Sequence, residues 1–380
     1  MGLGNISKLL LLNIFFELSL SAKAPPQAPF CEDMLMPYKV EKEFPTRNIK
    51  DIKTLKVGSY NLYNLYEYQG KLVYDYEGHR GRMVEEPRPK EAFKIKELAQ
   101  SILSEDPDIL VCQEVEKIQA LELFNRLHLK GAYRVLLIEG NDPRGIDIAF
   151  LVKKDLPFDL KLLSHKNRLA KDPLFPRRAA TRIFSRDLPV LEIREKGKSP
   201  ESLPLLSVFG THYKSKRPRP GDPLGEMLRK VQVEETLKLI EIYKEIYGPK
   251  FVYILAGDFN GQVRSEVAFE AIQKNKDMGD PFDFIEPKAS DLERVTHSYH
   301  PKASEEDPYP VTEYSQIDHV LVSSWFLQDK TRMKKIYVYR YKNEDNSVRP
   351  LPKTWDEREK NPSDHFPIFF DFDFAQLFNR

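Results

Sequence analysis

Residues 253–262 read YILAGDFNGQ, an apolar run of strand character that stops at Gly-Asp-Phe-Asn-Gly. Residues i and i+2 of a strand point the same way. Asp258 and Asn260 are therefore expected to project together, with Phe259 packed on the other side. Gly257 and Gly261 let backbone or ligand approach closely. A carboxylate beside a carboxamide suits a hard metal ion or a phosphate oxygen. The competing reading is a polar strand-to-helix turn, in which Asp258 and Asn260 satisfy their own backbone.

The flanking sequence supplies context. Upstream, GEMLRKVQVEETLKLIEIYKEIYG reads as a long helix ended by Gly248. LPLLSVFGTHYK and PVLEIRE before it read as strands, as do YRVLLIEG, IDIAFLVKK, DILVCQEV and LKVGSYNLYNLY. KEAFKIKELAQSILSED carries apolar residues at helical spacing, and ALELFNRLHL is a second helix. Downstream, SEVAFEAIQKN reads as a helix, and SQIDHVLVS, KKIYVYRY and HFPIFFDFDF as strands. Helices alternating with strands, and hairpin-like strands elsewhere, predict α/β layers with mixed sheets. Segment 64–90 has no clear period and carries Tyr66, Tyr68, Tyr74, Tyr76, His79, Arg80 and Arg82. Such a long loop is either functional or plain surface.

The chain has 380 residues and a net charge of +1, so no global basic field advertises nucleic acid. Any affinity for phosphate must come from local placement. The first residues, MGLGNISKLLLLNIFFELSLSAKAPPQ, combine Lys8, an apolar run over Leu9–Leu20 and a small-x-small site at Ala22-Lys23-Ala24. The pattern predicts a signal peptide over 1–24 and a secreted or periplasmic protein. An amphipathic leader or a misplaced start codon is the alternative. An N-terminal extension over 25–50 and one catalytic domain over 51–380 are expected to follow. Only Cys31 and Cys112 are present. They could pair in an oxidising compartment, but Cys112 sits in an apolar run, which favours a buried free thiol.

Polar residues recur where apolar strands end. Asn61 sits in SYNLYNL, and Gln113 and Glu114 end DILVCQEV. Asp147 opens IDIAFLV, His212 ends LLSVFGTH, and Asp258 and Asn260 end YILAGDFN. Asp318 and His319 open IDHVLVS, and Asp364 and His365 precede FPIFFDF. Seven such places are most simply explained by strand ends converging on one polar cleft. Of the adjacent Asp318 and His319 only one can point inward, and Asp318 is the expectation.

SYNLYNL, QEVE, RGIDIAFLV, THYKSK, GDFNG, IDHVLVS and SDHFPI, in that order from Ser59 to Ile368, resemble the endonuclease/exonuclease/phosphatase superfamily, and most closely its secreted bacterial nucleases. The resemblance implies a four-layer α/β sandwich, two packed mixed β-sheets flanked by helices, with the site at one edge. It implies that Asn61, Glu114 and Asp364 hold Mg2+ or Mn2+, and that Asp258 and Asn260 face the scissile phosphate. His212 and His365 become the proton-transfer pair, oriented by Asp147 and Asp318 respectively. Imidazole suits that task because it titrates near neutral pH. His79, His128, His165, His297 and His300 are read as structural.

Lys214, Lys216, Arg217 and Arg219 follow His212, and could bind phosphates beside the cleavage point or form a solvated loop. Arg182 and Arg229 are further candidates for substrate contact. The expected function is thus a secreted metal-dependent phosphodiesterase, foremost a nuclease of low sequence specificity leaving 5′-phosphate ends. It is expected to act on nucleic acid as a monomer without stable membrane association. A sphingomyelinase-like lipid phosphodiesterase and a non-catalytic binding protein on the same scaffold are the rivals.

Overall fold

The computed structural model describes residues 45–68, 70–75, 88–301 and 311–380. The leader, Cys31 and, in the tyrosine-rich loop, Tyr76, His79, Arg80 and Arg82 lie outside them.

Two mixed sheets carry the fold. The first runs Met333–Val338, Ile368–Asp373, Thr54–Tyr68, Ile109–Val115, Asp147–Lys153 and Tyr133–Leu137, with Lys71–Asp75 and Arg88–Pro89 added on Thr54–Tyr68. The second runs Met278–Gly279, Asp318–Ser323, Tyr253–Asp258, Leu206–His212, Val190–Glu195 and Phe158–Leu163. Each sheet has one parallel pair: Thr54–Tyr68 with Ile109–Val115, and Leu206–His212 with Tyr253–Asp258. Parallel neighbours need a crossover. The helices Ala92–Glu105 and Glu226–Tyr247 supply the two crossovers.

The pleat divides the core in two. Along Tyr253–Asp258, Ile254 and Ala256 join the cluster shared with the first sheet. Tyr253 and Leu255 join Phe209 and the helical residues Val233, Leu239, Ile240 and Tyr243. Helix Ala92–Glu105 buries Ile95, Leu98, Ala99 and Ile102, the three-and-four spacing of one helix face. With helix Ile118–His128 it covers the first sheet. The layers are those of the expected α/β sandwich: helices, sheet, sheet, helices.

Two sequence readings change in detail. SEVAFEAIQKN is not one helix but a 3-10 turn, Val267–Phe269, running into Glu270–Gln273. Phe158–Leu163 forms an edge strand that the charged FDLK stretch did not suggest. Cys112 is a free, fully buried thiol, and burial pushes it up.

Candidate active site

Three strands of the second sheet set the centre of the site. His212 lies in register with Asp258, and Asp258 with Asp318. Neighbours in register share a face of the sheet. The Oδ2 of Asp258 lies 3.4 Å from His212 Nε2 and accepts a hydrogen bond from Asn61 Nδ2 at 3.1 Å. His365 Nε2 stands 3.9 Å from the same oxygen. The Nδ1 of His365 meets Asp318 Oδ2 at 2.8 Å, so Asp318 orients this ring. Asp258, Asp318, His212 and His365 are all buried.

These surroundings drive the two imidazoles apart. Burial opposes charge on His365, but Asp318, Asp364 and Asp258 outweigh it and lift the ring to about 10. Burial, with the cations Arg186 and Arg144, holds His212 well below its ordinary value. Burial also pushes Asp258 up to about 7, against the pull of His365. One imidazole is thus set charged and the other neutral, with a carboxylate between them.

Asp258 and Asn260 meet through a turn rather than through the pleat. The strand ends at Asp258, and Asn260 adopts a left-handed φ of 53°. Asp258 Oδ1 accepts the Asn260 N–H at 2.8 Å, and Asn260 Nδ2 donates to the Tyr213 carbonyl at 3.1 Å. The self-satisfied turn and the polar site are therefore both present. Phe259 packs away from the site, against Tyr213 and His319. His319 itself points to that side, where Gly261 O and Gln316 meet its ring, while Asp318 faces the site.

The first sheet contributes Asn61 and Glu114 from two irregularities. Its register shifts between Asn61 and Leu65 and between Cys112 and Val115. Tyr63, Asn64 and Glu114 take positive φ there. Bulges of this kind re-aim side chains at strand ends. Glu114 Oε2 accepts the Asn64 N–H at 3.0 Å, and Asn61 Oδ1 accepts that of Tyr63 at 2.9 Å. Buried Lys90 donates to the Leu62 and Tyr63 carbonyls and props the bulge from behind.

Asp364 is joined to this edge through its neighbour Ser363, which donates to the Asn61 carbonyl. Burial would raise Asp364, but His365, His297 and Arg358 hold it far below the usual carboxylate range. Its Oδ2 accepts from Arg358 at 2.9 Å, while its Oδ1 is buried without a partner among the described residues. Asn61, Glu114 and Asp364 each carry oxygen donors, and Asp364 Oδ1 has no hydrogen-bond partner among the described residues, a donor chemistry that fits a hard divalent cation.

Asp147 does not orient His212. Its Oδ1 accepts the Gly140 N–H at 2.7 Å, and burial pushes it up to about 7. His212 Nδ1 is buried with no hydrogen-bond partner among the described residues. Asp147 opens a strand of the first sheet whereas His212 ends one of the second, and the nearby peptide of Gly140 takes the carboxylate.

The basic loop is largely consumed by structure. Lys214 Nζ donates to the carbonyls of Ser215 and Arg217, and burial pushes it down to about 8. Lys216 pairs with Glu266 at 2.9 Å, and Arg219 with Asp172 and Asp222. Arg229 is fully buried, holding the Lys214 and Leu224 carbonyls and Glu266. It organises the loop and presents no surface. Arg217 stays exposed, and exposed Arg182 bonds Asn141 at 3.2 Å.

Several residues beside the site carried no expectation. Arg186 reaches Asp142 and the Tyr213 carbonyl, and Arg144 forks onto Asp142. Arg358 grips Asp364. His297, read as structural, has its ring 4.8 Å from that of His365. Each of the four lies outside the strand-end positions that drew attention. His165, His128 and His300 do pack as structural residues: against Leu188 O and Tyr243, beside Phe124, and on Thr312.

Carboxylates and two imidazoles with oppositely shifted proton affinities, gathered at strand ends of two mixed sheets, are the residue set a phosphoester hydrolase uses. The family model described as Endonuclease/Exonuclease/phosphatase family matches residues 58–365, and the chain belongs to that family. Its members hydrolyse phosphodiester or phosphate ester bonds with a divalent metal. No curated protein matches the sequence at a significant level. Among solved structures, TDP2 from C. elegans is similar at a TM-score of 0.50 and 17% identity, covering 85% of this chain and 76% of that one. The endonuclease/exonuclease/phosphatase from Bacteroides vulgatus is similar at a TM-score of 0.50 and 16% identity, covering 85% of this chain and 99% of that one. At such identity these likenesses speak for the fold alone.

Proposed function

We propose that the protein is a secreted or periplasmic, Mg2+- or Mn2+-dependent phosphodiesterase acting as a monomer on nucleic acid. Cleavage has low sequence specificity and leaves 5′-phosphate ends. The observation that carries the reading is the Asp258 carboxylate, flanked by His212 Nε2 at 3.4 Å and His365 Nε2 at 3.9 Å. Asn61, Glu114 and Asp364 hold the cation, which when bound stabilises charge on the phosphate. Asp258 Oδ2 receives a proton from the attacking water, with Asn61 fixing the carboxylate. His365, its Nδ1 bound to Asp318, turns an Nε2–H toward the leaving oxygen and supplies the proton it takes up as the P–O bond breaks. Neutral His212 completes the proton path from the opposite side of Asp258.

Nucleic acid is favoured over lipid by the exposed cations on two joined loops. Arg177, Arg178 and Arg182 lie on one, Arg217 on the other, and the Asp172–Arg219 pair ties the loops together. The same loops expose Phe175 and Leu224, and the helix that follows exposes Met227 in its first turn, which favours a lipid phosphodiester as the second reading. Among the described residues no helix is long and apolar enough to cross a membrane. Secretion rests on the N-terminal pattern, and N-terminal sequencing of exported protein should begin at Pro25.

The test is incubation with Mg2+ and plasmid, RNA or sphingomyelin vesicles in parallel, with Asp258→Asn as control. Nicked or degraded nucleic acid bearing 5′-phosphate ends is expected. Hydrolysis of sphingomyelin alone would transfer the protein to the lipid reading. Turnover that survives EDTA would remove the cation from the scheme.

A further inference from the structure

We propose that His297, Asp364 and His365 form a transition-metal site suited to Zn2+ that shares Asp364 with the hard-cation residues. Each residue offers one donor atom, and the three donors lie within 4.8 Å of one another. His297 Nε2 is 3.8 Å from Asp364 Oδ2, and His365 Nε2 is 3.9 Å from Asp364 Oδ1. A backbone bridge between His297 and His365 holds the two rings side by side. Tetrahedral zinc, with bonds of about 2.0–2.1 Å, keeps its ligands about 3.4 Å apart. Small side-chain rotations therefore close the set.

The donor chemistry selects the metal. Two imidazoles and a carboxylate with a fourth position open suit Zn2+. Mg2+ instead prefers oxygen ligands throughout. His365 already has the outer partner such a ligand needs: Asp318 binds its Nδ1 at 2.8 Å, so that Nε2, on releasing its proton to solvent, is the nitrogen left for the metal. Asp364 Oδ1 is buried and has no hydrogen-bond partner among the described residues. Arg358 occupies the other oxygen, and its charge is shared with Glu359 at 2.7 Å.

Occupation by Zn2+ removes Asp364 from the hard cation and His365 from proton transfer. The ion should therefore inhibit hydrolysis, and adding Mg2+ should relieve the inhibition. This second half rests on the phosphodiesterase reading, whereas metal binding does not.

The experiment titrates full-length, Mg2+-free protein with Zn2+, and with Co2+ as its spectroscopic stand-in. Wild type, His297→Gln and His297→Cys are compared. Wild type should bind Co2+ with visible d–d absorption. His297→Gln should bind Zn2+ at least tenfold more weakly, and His297→Cys should regain affinity with a sulfur-to-cobalt charge-transfer band. With Mg2+ present, His297→Gln should need at least tenfold more Zn2+ than wild type for half-inhibition, each protein measured against its own Mg2+ rate. Unchanged Zn2+ affinity in His297→Gln would place the ion elsewhere, such as on Asp258, Asp318 and His365, and overturn the proposal. So would a His297→Cys protein without the charge-transfer band. If no phosphodiester is cleaved at all, the functional reading fails while the spectra still decide the metal site.

Discussion

The strand-borne centre of the site, its floor, and the basic loop after His212, here called the rim, are both dense in charge, yet they are built by opposite rules. On the floor, His212, Asp258 and Asp318 stand where strand register puts them. Burial there holds His212 below its ordinary value and pushes Asp258 up. On the rim, Lys216 and Arg219 have each found acids from elsewhere in the chain, Glu266 for one and Asp172 and Asp222 for the other. A charge fixed by a strand keeps its chemistry. A charge on a loop chooses a counter-ion, so a run of cations in sequence overstates the field that a ligand meets.

The largest effect should come from the floor. Asp258→Asn and His365→Ala are each expected to lower turnover by about 10²–10⁴-fold, the scale of a lost acid–base group. Circular dichroism should stay native. Near-normal turnover in either variant would place proton transfer elsewhere and dissolve the contrast with the rim. Glu114→Ala comes next. Its Mg2+ requirement should rise by about tenfold or more, the range seen when a metal site loses supporting groups. Titration of Mg2+ against initial rate reads this, and an unshifted curve would remove Glu114 from the cation set.

Asp147 tests whether burial alone shifts a group that has no imidazole partner. Its folded value, about 7, lies above the ordinary 3.8. Between those two values the folded state holds a proton that the unfolded state has lost. Its contribution to stability therefore falls as pH rises from about 4 to about 7, by at most roughly 1.4 kcal/mol per pH unit. Asp147→Asn keeps an acceptor for the Gly140 N–H and cannot ionise. Urea melts should show the variant more stable than wild type at pH 8 and similar at pH 4. Equal stability at both would mean that Asp147 is ordinary.

The rim should give the smallest effects, and two arginines should behave differently there. Arg217→Ala should make the salt dependence of DNA binding shallower by about one unit, near 0.9 per phosphate contact on duplex DNA. Arg219→Ala should leave that slope unchanged and cost about 0.5–1 kcal/mol of stability, because its charge is already engaged. Oligonucleotide binding by the Asp258→Asn protein across a salt series measures the first, and urea melts the second. Equal slopes for the two variants would show that the ion pairs do not mask the rim.

This contrast also explains what could be read from the sequence. Strand ends were legible because an apolar run that stops at a polar residue marks both the element and its exit from the core. That brought Asn61, Glu114, His212, Asp258, Asp318 and Asp364–His365 to notice. The period of two sends Asp318 and His319 to opposite sides of the strand, where Asp318 meets His365 and His319 meets Gly261. Partner choice was not legible, because it depends on tertiary neighbours. Asp147 found Gly140 instead of His212, Arg229 turned inward, and His297 arrived beside His365 on a short strand, His297–Tyr299, with little apolar signal. The turn at Asn260 was foreseen only as an alternative. The left-handed backbone of Glu114 has no marker in residue type, since glutamate does not favour it.

His212, Asp258 and Asp318 stand abreast on three adjacent strands. A shift of Tyr253–Asp258 by a single residue would bring Gly257 or Phe259 to the central place and send Asp258 to the opposite face. The helices, the sheet count and most of the buried area would survive such a shift, so bulk spectroscopy would barely register it. Hydrolysis would stop. The active centre is thus a vernier for the fold: in a refolded or mutated preparation, specific activity measures the fraction of molecules whose strands are aligned to the residue, a quantity that secondary-structure content does not resolve.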